Sequence, residues 1–433
     1  MTSVHFITQG CSANQADTEQ MKGLLKEARF DISESLEDSD IVIFNTCSVK
    51  NPSESAFFKN LQEIKREYPY KILIVTGCIA QADPQLLKEY SLVGTKQIHK
   101  IVEVVEESLS DNVVKMLETG EMPPLDLPKI RKNPIVEIIP INRGCLSACT
   151  FCKTKSARGN LKSYPIEEIT AIAKKAVKEG VKEIWLTSQD TMCYGFDLGT
   201  NLADLLQELV NIPGKFKIRV GMGNPVHLKK IKDQLFPLLN HEKVFKFLHI
   251  PAQAGSDKVL KDMRRGNTNE EFLSMVEELR HKVPRVTLAT DIIVGFPSED
   301  EDDYWKTLEV VRKTTPDVIN ISRFWSRPGT PASEMQQLSG DVIKHRSKVL
   351  TDIFHNISKI RNEGWLGWEG EVIIDDKGRE ENQWIARNDY YKQFILEGNF
   401  KLGDIVKVKA VKADTFSLRG EVVKETVTAY KEY

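Results

Sequence analysis

The order of apolar and amphipathic segments predicts an α/β protein in three successive units: an N-terminal parallel-sheet α/β domain, a central partial (βα)6 barrel, and a small C-terminal β-barrel. Three observations carry this reading. β-branched runs alternate with amphipathic stretches as far as about Pro331; a proline-rich stretch interrupts the alternation once; and beyond Gly364 the pattern changes to short strands divided by polar turns.

In the first unit, residues 1–121, the runs Val4 to Cys11, Ile41 to Cys47 and Ile72 to Cys78 each end in a cysteine. Helical stretches from Gln15 to Arg29 and Ala56 to Tyr68 lie between them, the alternation of a parallel sheet with crossover helices. Ligands of such sheets sit beyond the carboxyl ends of the strands, where all three cysteines fall. Residues 122–134 contain Pro123, Pro124, Pro128 and Pro134 and read as a linker. The second unit, residues 135–363, offers six strand candidates ending near Arg143, Ser188, Gly221, Pro251, Val294 and Phe324, with helical segments such as Pro165 to Gly180, Leu202 to Val210 and Glu270 to Lys282. Six units fall short of a closed eightfold barrel, so an open, partial barrel is expected. Ser339 to Glu363 reads as a helix leading out of it. In the third unit, residues 364–433, five runs starting at Glu371, Gln383, Gln393, Asp404 and Phe416 form a meander suited to a small β-barrel.

The 433 residues carry 60 Lys plus Arg against 62 Asp plus Glu, a formal charge of −2, so a polyanion site has to be local. No apolar run approaches the roughly 20 residues of a membrane span, and Met1 to Gly10 lacks the pattern of a signal peptide. A soluble cytoplasmic protein with no membrane partner is expected. Seven cysteines are too few for a disulfide scaffold, and an odd number cannot pair completely; metal binding, redox chemistry or plain burial remain.

Cys145, Cys149 and Cys152 follow a strand at intervals of four and three residues. A loop that short can hold three corners of an iron-sulfur cube and leaves one iron open. Structural zinc, the alternative, normally takes four protein ligands. Cys11, Cys47 and Cys78 each read singly as small buried hydrophobes; if strand order brings them together, they can hold a second cluster, again with one iron unfilled.

The CxxxCxxC motif of Cys145 to Cys152 resembles the radical S-adenosylmethionine (SAM) superfamily. The resemblance implies that SAM chelates the open iron and is cleaved by an electron from the cluster to methionine and a 5′-deoxyadenosyl radical. Gly10 to Asn14, Asn45 to Val49, Thr76 to Gln81, Leu248 to Ser256 and Asp291 to Pro297 resemble motifs of the methylthiotransferase family over essentially the whole chain. Ser188 to Gly195 and Arg219 to Pro225 are most similar to its archaeal and eukaryotic branch.

Membership would imply two [4Fe-4S] clusters, one on each trio, and two SAM molecules per turnover, one giving a methyl group and one the radical. The product would be a methylthio group on C2 of N6-threonylcarbamoyladenosine 37, with the tRNA anticodon stem-loop, an electron donor and a sulfur donor as partners. The same chemistry on isopentenyladenosine 37 or on a ribosomal-protein aspartate, and a non-catalytic iron-sulfur RNA-binding protein, are the competing readings. The C-terminal unit resembles a TRAM domain, a small RNA-binding barrel.

Gln189, Arg219, Gln253 and Gly295, at strand ends, are the candidates for holding SAM or substrate; Arg219 could pair with the SAM carboxylate, and Gly295 could let backbone approach the adenine. No side chain is assigned a catalytic role. Cys193 reads as an unliganded thiol, and Glu299 to Asp303 as a solvated helix N-terminus. For RNA, Lys129 to Lys162 holds eight basic residues and one acidic, a rim that would draw phosphates unless it is merely a solvated loop. Arg387, Tyr390, Tyr391, Lys392 and Phe394 interleave charge and rings as base stacking requires, within a unit whose residues 361–433 carry 12 basic and 14 acidic side chains.

Overall fold

The structure, a computed structural model, describes residues 2–48 and 51–423; Val49, the end of one N-terminal motif, and residues 424–433 lie outside the described residues. Strands β1 (Ser3–Thr8), β2 (Asp31–Ser33), β3 (Ile41–Thr46), β4 (Ile72–Gly77), β5 (Ser91–Val93) and β6 (Lys115–Met116) form one parallel sheet in the order β2-β1-β3-β4-β5-β6. Every residue of β3 is buried, as its uninterrupted apolar run requires in a sheet covered on both sides. Ile41 and Ile43 pack with Met21, Leu25 and Val104 on one face; Val42 and Phe44 pack with Phe57, Leu61 and Ile64 on the other. Helices Ser12–Glu27 and Asn51–Glu67 supply these two covers.

The central unit contains β7 (Val136–Pro140), a small hairpin of β8 (Asn142–Arg143) with β9 (Lys162–Ser163), then β10 (Glu183–Thr187), β11 (Lys217–Val220), β12 (Phe247–His249), β13 (Thr287–Val294) and β14 (Val318–Arg323). The six expected barrel strands are all present and parallel, but their ladder is divided. β7, β10 and β11 form one sheet and β12, β13 and β14 another. Between the halves run an isolated bridge, Ile218 to Val244, and the hydrogen bond from Gly223 N–H to His249 O at 3.1 Å. A continuous core from Ile139 through Ile184, Ile218, Leu248, Leu288 and Ile319 joins them.

Helix Gly340–Glu363 leads to β15 (Glu369–Lys377), β16 (Gln383–Asn388), β17 (Gln393–Glu397), β18 (Ile405–Ala413) and β19 (Leu418–Val422), which close into a barrel in the order β15-β16-β17-β19-β18. Closure leaves no free strand edge. Buried Asp317, at the foot of β14, binds Arg361 of the connecting helix (3.0 Å) and Lys392 of the small barrel (2.7 Å), fastening the three elements together. Among the described residues no helix is long and apolar enough to cross a membrane.

Candidate active site between two cysteine trios

β1, β3 and β4 are neighbours in the sheet, so Cys11, Cys47 and Cys78 stand at the carboxyl ends of three adjacent parallel strands. Gly10 makes the first approach possible: its φ is +107°, and a Cβ there would lie 2.7 Å from the Cβ of Cys47. Asn14 organises the cluster of strand ends. Its Nδ2 donates to Gln9 O (2.9 Å) and Thr46 O (2.8 Å), and its Oδ1 lies 4.0 Å from the sulfurs of both Cys11 and Cys78. Cys47 and Cys78 are buried and Cys11 is exposed. Burial pushes the Cys78 thiol up to about 11, and the neighbouring Arg158 charge opposes this.

The β8-β9 hairpin presents the second trio. Gly144, at φ +77°, opens the loop; a Cβ there would meet Asn160 O at 2.0 Å. Backbone N–H groups of Ser147 and Thr154 point at the sulfurs of Cys145 and Cys152, both at 3.3 Å, and Arg265 Nη1 lies 3.6 Å from Cys149 Sγ. Burial raises Cys145 to about 11 and also pushes Cys152 up. Thiols held up in this way give thiolate ligands when a metal draws the proton off. Three sulfurs on one short loop, with hydrogen-bond donors aimed at them and no fourth cysteine in the loop, fit a cluster with one open iron better than a tetrahedral zinc ion.

A cavity of about 440 Å³ reaches both trios, with Cys11 of the first and Cys152 of the second in its wall. Arg219 and Gln253 line it, together with His249, Asp291 and Trp325. Gln253 adopts φ +69°, a backbone region a non-glycine residue rarely occupies, and its buried Oε1 has no protein partner. The Arg219 guanidinium is stacked among Trp185 (4.9 Å), Phe247 (5.4 Å) and Tyr391 of the small barrel (5.0 Å), while its buried Nε has no partner. Unpaired buried polar atoms are costly, and these two lie on residues of the cavity wall. His249 Nε2 and Asn320 Nδ2 both reach Asp291 Oδ1, at 3.0 and 2.7 Å.

Two of the four candidate residues also have close partners within the chain. The Oε1 of Gln189 accepts from Gly144 N–H at 2.8 Å and so holds the cysteine loop. Gly295, at φ +80°, faces Ile343, whose Cγ1 would lie 2.5 Å from an added Cβ. The run Glu299 to Asp303 is likewise only partly solvated. Asp300 caps helix Glu301–Thr314, but Glu299 is buried, pairs with Arg346 at 2.8 Å and accepts from Gly295 N–H.

The basic rim meets a larger correction. Lys129 and Arg131 bind buried Glu137, Arg143 and Arg158 bind Asp17, and Lys153 binds Asp83. Lys132, Lys155 and Lys162 remain on the surface. Buried Glu137 within the run and the distant Asp17 and Asp83 absorb the rest, and counting charge along the chain could not reveal the distant pairings. Cys193 is buried, its Sγ 3.2 Å from Asp190 O, and it lies behind the central loop, near Cys145 and the Leu146 backbone. Asp190, Cys193 and His227 form a His/Cys/Asp group with ligand atoms within 4.8 Å of one another, which sequence reading missed because His227 belongs to the next βα unit. The Asp190 carboxylate there already accepts from Met192 N–H and Asn224 N–H and contacts His227 Nδ1 at 2.6 Å.

The chain matches three family models in succession: uncharacterized protein family UPF0004 over residues 3–94, the radical SAM superfamily over 139–311 and the TRAM domain over 366–423. Among solved structures it is similar in fold to the radical SAM methyltransferase TsrM from Kitasatospora setae, with a TM-score of 0.56 and 13% identity, covering 77% of this chain and 75% of that one. Among curated proteins, threonylcarbamoyladenosine tRNA methylthiotransferase of Homo sapiens is 41% identical over 96% of this chain and 73% of its own length. A probable threonylcarbamoyladenosine tRNA methylthiotransferase of Pyrococcus horikoshii is 39% identical over 98% of this chain and its full length. With its two cysteine trios, divided barrel and terminal β-barrel arranged in this order, the chain belongs to the threonylcarbamoyladenosine tRNA methylthiotransferase family of radical SAM enzymes.

Proposed function

We propose that this protein inserts a methylthio group at C2 of N6-threonylcarbamoyladenosine 37 in tRNA, with a [4Fe-4S] cluster on each cysteine trio. The carrying observation is a cavity with one cysteine of each trio in its wall. A sulfur species held on one side and the SAM-dependent chemistry on the other would then meet the same substrate carbon. That carbon is sp2 and bears no acidic hydrogen, so acid-base groups offer no easy route. When bound, the cluster of Cys145, Cys149 and Cys152 with SAM supplies the one-electron chemistry that breaks such a C–H bond.

The protein's own residues bind, orient and exclude water. Gln253 and Arg219 line the cavity in which SAM would bind, and Gln189 keeps the cysteine loop in place through Gly144. Phe151, Met222 and Ile293 form apolar wall, which keeps water from diverting a reactive intermediate. Trp325, half exposed at the cavity, offers a stacking face to an unpaired adenine. The small barrel supplies further RNA contact, with an electron donor and a sulfur donor from the cytoplasm completing the set. We divide the chain accordingly at 1–121, 122–134, 135–363 and 364–433, a division supported by the proline-rich stretch and by the long helix that precedes the barrel.

Mass spectrometry of tRNA nucleosides from cells with and without this protein tests the substrate. The methylthio-threonylcarbamoyl nucleoside is expected to disappear in the deletion strain and return with the gene. Its persistence in a strain without a second such enzyme overturns the assignment.

A further inference from the structure

Arg143 and Arg158 bracket the central cysteine loop, on either side of Cys145 and Cys152. Neither is free to meet RNA. Both side chains are 2% exposed, and each takes one carboxylate oxygen of Asp17, at 2.8 and 2.9 Å. Asp17 belongs to helix Ser12–Glu27, whose N-cap is Cys11. Arg158 extends further into the N-terminal unit: its Nη2 donates to Asn14 Oδ1 at 2.6 Å and its guanidinium sits near Cys78 and Cys11. Arg143 turns away, toward Thr95 O (3.0 Å) and the Tyr164 hydroxyl (3.2 Å).

Two guanidinium groups on one carboxylate leave an excess positive charge in a dry interior, a costly arrangement unless an anion completes it. Thiolates ligating a cluster supply that anion, and Arg158 is the member of the pair that faces them. The same ion pairs also fix how far one trio stands from the other, since each arginine flanks one trio and Asp17 follows the other.

We infer that Arg158 is a positioning residue for the N-terminal cysteine trio, lent to it by the central unit, and that its charge raises the reduction potential of the cluster held there. This rests on the two-cluster reading above. A positive charge beside a cluster favours the more negative, reduced state, so removing it lowers the potential, whereas removing the Asp17 charge raises it.

The test uses the full chain carrying Cys145→Ala, Cys149→Ala and Cys152→Ala, reconstituted anaerobically with iron and sulfide and titrated with dithionite under EPR. About four irons per chain are expected on the remaining trio. On that background Arg158→Gln shifts the midpoint potential down, Asp17→Asn shifts it up, and Arg158→Lys stays near the parent. Loosened packing would not produce shifts of opposite sign. Unchanged potentials, or shifts in one common direction, overturn the inference. If Arg158→Gln does not fold, Asp17→Asn decides: an upward shift supports the inference and any other result refutes it. Absence of iron in the triple variant refutes the two-cluster reading itself, and the inference with it.

Discussion

The two cysteine trios solve one problem by opposite means. The central one is contained in a single loop, Cys145 to Cys152, held by a two-stranded hairpin and by N–H groups of the loop itself. The N-terminal one is assembled by a sheet, and its members come from β1, β3 and β4 with whole βα units between them. The first therefore depends on local geometry and the second on strand order. They also differ in exposure: all three central cysteines are partly exposed, whereas Cys47 and Cys78 are buried and only Cys11 meets solvent.

The strongest way to break this comparison is to remove one member from each trio. Cys149→Ala is expected to abolish SAM cleavage, a loss of at least about 1,000-fold in 5′-deoxyadenosine by chromatography, on the scale of losing an essential catalytic centre. Cys47→Ala is expected to leave that cleavage in place and stop formation of the methylthio nucleoside. Equal loss of cleavage in both would remove the division of labour.

A backbone perturbation sharpens the same contrast. Gly10→Ala places a Cβ against Cys47 at a left-handed φ, and Gly144→Ala places one against Asn160 O. Each should halve the iron of the reconstituted protein, from about eight to about four per chain, and each should do so at a different trio. Which cluster survives is read from retained SAM cleavage.

Thiol alkylation of the metal-free protein gives a smaller effect. Cys11 is expected to react at least about tenfold faster than Cys78 at neutral pH, because Cys78 is buried and its thiol is held up to about 11. Peptide mass spectrometry over time measures this, and equal rates would show that the N-terminal site opens without metal.

A last expected effect lies away from both trios, where the central unit meets the small barrel. Burial and the nearby Asp375 carboxylate push Glu183 up to about 7, and burial raises Asp375 to about 6. Both folded values stand above those of the unfolded chain, so the folded state binds more protons and stability falls as pH rises from about 4.5 through 7. For Glu183 the loss is on the order of 3 kcal/mol. Glu183→Gln should flatten the decline in Tm over that range, and an unchanged slope would place the titration elsewhere.

Much of the architecture was legible because its signals are local. Helix Leu202–Val210 occupies the expected residues, with Asn201 and Asp204 forming the capping box that starts it. The barrel strands end within a few residues of the expected positions, since β-branched runs and the turns after them are written in sequence. β2, β5 and β6 were not legible: at two or three residues each they carry no periodicity and exist through pairing with a neighbour. At the site, the residue types that converge on the cavity were visible at strand ends, but their partners were not. The contact of Gly295 with Ile343 was hidden because Ile343 lies on a later helix. The basic run looked like a phosphate rim because Asp17, Asp83 and Glu137 cannot be assigned as partners without the fold.

The clamp on Asp17 also bears on the order in which the chain is made. Its partner Arg143 lies 126 residues downstream, so synthesis delivers the N-terminal sheet well before the groups that neutralise this carboxylate. Burying it alone would cost several kcal/mol, so helix Ser12–Glu27 gains its final seat only once the cysteine loop of the central unit has emerged. The first unit to be synthesised is thus completed only after the start of the second has emerged, and the Cys11 corner of its trio settles when the second trio arrives.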